Sequence, residues 1–91
     1  MAEHENKSTQ KSVFDAVVAE RRYQDLLPKN RSDGKIRTVE GELLLLEDYI
    51  ARARKAWVDN AGDTQALDVV RKVVSIGVRC LEVHGVIERV R

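Results

Sequence analysis

Two sets of charged side chains in this sequence have the types and spacing for chemistry. The first is basic: Arg52, Arg54 and Lys55 lie on one segment, and Arg71, Lys72 and Arg79 on the next. If those segments are antiparallel helices, the two sets line an anion-binding groove near Tyr49 or Trp57. Guanidinium forks clamp a phosphate, and an aromatic ring beside them stacks on a base. Arg52, Arg54, Arg71, Lys72, Tyr49 and Trp57 are therefore candidate nucleotide-binding residues, against the plainer reading of a solvated charged face. The second set is acidic: Glu42, Glu47, Asp48 and Asp68 form the candidate metal set, with Glu40 nearby. Facing helices that present carboxylates can hold magnesium for phosphate chemistry. The spacing works against it, because Glu42 and Glu47 are five positions apart and turn away from each other on a helix. Asp48 and Arg52, four apart, have the spacing of an ordinary surface ion pair. No nucleophile–base pair presents itself. His4 lies near the start of the chain, His84 stands at a helix end, and Ser75 and Cys80 have no acid–base partner at helical spacing.

Three amphipathic helices are expected to position these groups. The clearest is Gly41 to Trp57, where Leu43, Leu46, Ile50, Ala53 and Trp57 form an apolar seam, widened by Leu44, Leu45, Tyr49 and Ala56. Thr38 caps this helix, Glu40 and Glu42 suit the positive end of its dipole, and it is expected over 38–59. Gly41 there invites close approach by a neighbour or ligand. Ser12 is the expected cap of a first helix over 12–27, which Pro28 ends. Residues 1–11 read as a polar tail, and 28–37 as a basic loop with an Asp33-Gly34 turn that could approach a phosphate. Asp63 or Thr64 caps a third helix over 63–84, closed by Gly85. That helix is apolar over most of its circumference. Leu67, Val70, Val74, Gly77 and Leu81 form one row, and Ala66, Val69, Val73, Ile76, Cys80 and Val83 another. Asp68, Arg71, Lys72, Ser75, Arg79 and Glu82 leave one narrow polar stripe. Such a helix wants burial on two sides, and a three-helix domain supplies one, so a second copy of the chain is the simplest partner.

Length and composition set the frame. Ninety-one residues make a single domain with a marginal core, here 12–91 after the tail. Sixteen basic against fifteen acidic residues leave a net charge of +1, which gives no general electrostatic case for nucleic acid as a partner. One cysteine rules out an internal disulfide and a cysteine-based zinc site, and its free thiol fits a reducing cytoplasm. The N-terminal stretch lacks the apolar centre of a signal peptide, and no apolar run is long enough to span a membrane.

The order ERRYQD, loop, GELLLLEDYIARARKAW, Gly-Asp turn and ALDVVRKVVSIGVRCLEVHG resembles small MazG-like proteins over roughly Ala19 to Gly85. These are phage and bacterial members of the all-α nucleotide pyrophosphohydrolase superfamily. The resemblance implies an all-α, oligomeric helical bundle with a nucleotide-related role. It also implies magnesium held by an EExxE set on one helix and an ExxD set on the next. This chain departs from both. Its second helix offers Glu42, Glu47 and Asp48 without that spacing, and its third reads Asp68-Val69-Val70-Arg71, with a cation where the second acid would stand. A cation there repels magnesium and can take over phosphate binding. The expectation is a homo-oligomer that binds a nucleotide or nucleotide-derived signal without cofactor and without hydrolysis, as a phage protein sequestering a host defence signal would. The alternatives are a magnesium-dependent nucleoside triphosphate pyrophosphohydrolase, and a module that inhibits a host protein through the apolar third helix.

Overall fold

The computed structural model describes residues 7–27, 37–60 and 62–90. Among these residues the chain is all-α, with α1 at Gln10–Leu26, α2 at Val39–Asn60 and α3 at Thr64–His84. The basic 28–36 stretch, with its Asp33-Gly34 turn, lies outside the described residues.

Local chemistry sets the helix ends. α1 starts two residues before the expected Ser12, because Thr9 is the cap. Its Oγ1 accepts from the Ser12 amide at 3.1 Å, and the Ser12 hydroxyl donates back to the Thr9 carbonyl at 3.0 Å. Gln10 and Lys11 thus belong to α1. Leu27, next to Pro28, has left the helix at φ −70° and ψ 134°, as the proline ring requires. Thr38 caps α2 as expected, its Oγ1 accepting from the Gly41 amide at 3.1 Å. The space beside Gly41 is filled by that same cap, with Thr38 Oγ1 3.4 Å and Arg37 Cβ 3.5 Å from where a Cβ would stand. α3 ends at Gly85, whose φ of 104° favours glycine, and the Gly85 amide closes onto the Leu81 carbonyl at 2.8 Å. The segment Val86–Val90 continues without helix and is exposed.

α3 is the central element. It lies along α2 and also carries α1, whereas α1 and α2 do not approach each other. Arg–carboxylate pairs tie both neighbours to it. Arg21 of α1 grips Glu82 with two nitrogens, Nε to Oε2 at 3.2 Å and Nη2 to Oε1. Arg71 donates Nε to Glu20 of α1 at 3.1 Å. Arg79 donates to Glu42 of α2 at 3.3 Å. Arg71, Ser75, Arg79 and Glu82 fall on one face of α3 by the helical period, and of the polar stripe Ser75 is buried and Arg71 and Arg79 are half-buried, whereas Asp68 and Glu82 stay exposed.

This inverts the reading from periodicity alone. Among the described residues Ile76 is the one large apolar side chain that is buried, in company with Arg21, Gln24, Glu42 and Ser75. The α2 seam is split, since Leu46 and Ala53 are half-buried whereas Leu43, Ile50 and Trp57 are each more than half exposed. Packing Glu42 against Arg79 turns α2 so that Leu45, Leu46, Tyr49, Ala53 and Ala56 take the half-buried side. Leu67, Val70, Val74 and Leu81 of α3 are exposed, and Cys80 is half-buried.

Docking of α1 therefore rests on Arg21. Replacing a charged hydrogen-bonding group of this kind costs about 1.5–3 kcal/mol. Arg21→Met is expected to raise amide hydrogen exchange throughout Gln10–Leu26 well above its effect in α2 and α3. Equal protection of α1 in the variant and the parent would contradict this attachment.

Candidate functional site

Because α1 and α2 stand apart on α3, they leave a cleft of about 200 Å³ between them. Lys72, Ile76 and Arg79 of α3 line its floor. Glu20, Tyr23 and Gln24 of α1 line one wall, and Glu42, Leu45 and Tyr49 of α2 line the other, with Leu27 and Arg37 also contributing. Helical geometry accounts for the floor. Residues 72, 76 and 79 recur at four and three positions, so a single α3 face presents two cations around one isoleucine.

Glu42 is the electrostatic centre of the cleft, with no exposed surface. Its Oε2 accepts from Arg79 Nη1 at 3.3 Å, and Arg37 Nη1 stands 3.8 Å from Oε1. That second distance exceeds a hydrogen bond, and Oε1 has no donor among the described residues. A buried carboxylate is tolerated only when paired. Here one charge holds two guanidiniums, each keeping spare N–H donors, since a guanidinium carries five. The sum is an excess of positive charge at this end of the cleft. Glu20, the other cleft carboxylate, is engaged by Arg71.

The cations and aromatics proposed from sequence are dispersed in the structure. Tyr49 and Lys72 line the cleft. Arg52 pairs with Asp48 at 2.8 Å, and its guanidinium lies 4.3 Å from the centre of the Tyr49 ring. Arg71 is held between Glu20 and Asp68, at 3.1 and 2.8 Å. Arg54 is exposed with no ion pair among the described residues, and Lys55 pairs with Asp59 at 2.9 Å. The Trp57 indole donates to Asp63 at 3.1 Å at the α2–α3 turn. This bond explains why Asp63 does not cap α3 with its side chain. Among the candidate metal ligands, Glu42 is buried, Glu47 is exposed, Asp48 pairs with Arg52, and Asp68 pairs with Arg71 and Lys72. No three His, Cys, Asp or Glu side chains gather to hold a metal among the described residues. Sequence reasoning missed Arg37, Glu20 and Tyr23 as cleft residues. The one available signal was the Glu20–Arg21 and Tyr23–Gln24 spacing on α1, which repeats every three to four residues.

Comparison with known proteins finds no matching family model, curated protein or solved structure.

Two outcomes follow from the charges. Arg79→Met leaves Glu42 buried beside Arg37 alone, and breaking a buried pair in this way costs about 3–5 kcal/mol. Urea unfolding is expected to show that loss, and a change below about 1 kcal/mol would show that the pair is dispensable. The Asp68 carboxyl is held below the usual carboxylate range, chiefly by its hydrogen bond from Arg71, against the opposing effect of burial. A depressed folded-state value means that the unfolded chain binds the proton first. The contribution is therefore fully present above the unfolded value near about 3.9 and is lost as pH falls through the folded value. Asp68→Asn is expected to flatten the acid limb of the stability profile below about pH 4, leaving its neutral-pH slope unchanged. An acid limb as steep as the parent's would contradict this.

Proposed function

We propose that the cleft binds a nucleotide or nucleotide-like phosphorylated ligand and does not hydrolyse it. The observation that carries this reading is the meeting of Arg37, Lys72 and Arg79 with Tyr23 and Tyr49 around a single cleft. Guanidinium and ammonium donors suit phosphate oxygens, with Arg37 and Arg79 pre-positioned by Glu42. Tyrosine rings suit a base, and the Arg52 guanidinium over Tyr49 makes that ring part of a cationic stack. A volume of about 200 Å³ is below the 300–1,000 Å³ of pockets that engulf a ligand, so the phosphate sits inside and the base lies at the open mouth.

Binding without turnover is supported by the carboxylates, since both of those lining the cleft are engaged by arginines. The sequence resemblance to MazG-like proteins agrees with a nucleotide-related role, with Tyr49 and Lys72 retained from the candidate set and Arg37, Arg79 and Tyr23 added. A protein that holds a phosphorylated signal without consuming it removes that signal stoichiometrically, as a sequestering phage protein would.

Calorimetric titration with nucleoside mono-, di- and triphosphates and with cyclic dinucleotides, in the presence of EDTA, tests the reading. Saturable binding is expected, weakened about tenfold or more in Lys72→Ala by loss of a charged hydrogen bond. Absence of saturable binding across the panel would overturn the proposal. Pyrophosphate release on adding magnesium would assign the cleft to the hydrolase alternative instead.

A further inference from the structure

The side of the α2–α3 hairpin away from the cleft is apolar and bare. On α3, Leu67, Val70, Val74 and Leu81 stand about half a turn from the cleft residues Lys72, Ile76 and Arg79. They are 41–49% exposed. With Gly77 they follow the alternating three-and-four spacing of a coiled-coil seam. A Cβ on Gly77 would meet nothing within 4 Å, so open space lies over the middle of that seam. On α2, Leu43, Ile50 and Trp57 recur every seven residues, exposed at 54, 51 and 53%. We propose that this hairpin face is covered by the same face of a second copy, with the two α2 helices antiparallel and crossing near Ile50.

Two observations select a second copy over another occupant. The first is charge. Glu47 and Arg54 flank Ile50 on the same exposed side of α2, and neither has an ion-pair partner among the described residues. A two-fold axis near Ile50 sets Glu47 of each chain against Arg54 of the other. The second is register. The same alignment places Leu43 against Val58, which are 54 and 63% exposed. Opposite charges and apolar pairs thus fall into place together when α2 is laid on its own reverse, as an isologous interface requires. A partner of different sequence would give α2 no reason to be symmetric about its own middle.

The cleft, on the opposite side of α3, stays open in this dimer.

Sedimentation velocity of the full chain, with Glu47→Arg, Arg54→Glu and the double exchange, tests the proposal. Both positions are exposed, so helix content by circular dichroism is expected to hold in all forms. The parent is expected to be dimeric at micromolar concentration, each single exchange to weaken association about tenfold or more, and the double exchange to restore it. Oxidation of Ile50→Cys in a Cys80→Ala background is expected to give a disulfide-linked dimer. A parent that stays monomeric at high micromolar concentration would overturn the proposal. So would a double exchange no tighter than the singles, or a dimer that Ile50→Cys does not cross-link. Failure of nucleotide binding leaves these readouts unchanged, because they report mass alone.

Discussion

The contact on which the rest depends is the buried pair of Glu42 and Arg79. A carboxylate without solvent contact must meet a cation, and Arg79 is the α3 side chain that reaches it. That requirement sets the rotation of α2 on α3. It sends Leu43, Ile50 and Trp57 to one side and brings Leu45 and Tyr49 to the cleft. It also draws Arg37 toward the same carboxylate, 3.8 Å away. One ion pair therefore shapes the wall of the cleft, its positive end and the apolar face behind it.

α3 repeats the logic along its length. Arg71 and Glu82 reach α1 as Arg79 reaches α2, so the helix turns Arg71, Ser75 and Arg79 inward and leaves Leu67, Val70, Val74 and Leu81 exposed. Buried pairs contribute little net stability once desolvation is counted, although breaking them is expensive. They specify which helix sits where. Apolar burial within the chain comes from Ile76 and from half-buried residues such as Leu45, Leu46, Val69 and Val73, and the exposed row of α3 adds none to it.

Much of the architecture is written in local signals. The three helices are marked by Thr38, Pro28 and Gly85, each of which acts through its own backbone neighbourhood, and the structure shows all three elements. The cap of α1 at Thr9 rather than Ser12 is a local choice between two hydroxyl residues three positions apart. The two-sided character of α3 is also visible in its apolar rows. Which side faces inward is not, because periodicity reports that a stripe exists and is silent on what it meets. The Asp68 to Glu82 stripe has the look of a solvated face, yet Arg21, Glu20 and Glu42 on other helices supply partners that make burial possible. The cleft was half legible for the same reason. Tyr49 and Lys72 stand out on their own helices, whereas Arg37 and Tyr23 enter it only through the way α1 and α2 sit on α3.

If a second copy covers the bare apolar face, as proposed, assembly adds to the stability of the chain. Dependence of the unfolding midpoint on protein concentration tests this most directly, because a dimer that unfolds to separate chains follows mass action. Association through that face predicts a urea midpoint that rises steadily with concentration, a hundredfold increase adding about 2.7 kcal/mol of stability to the dimer. A midpoint that stays fixed over that range, with a sharp two-state transition, would mean that the three helices are stable alone and would contradict the inside-out packing of α3 as the reason for association.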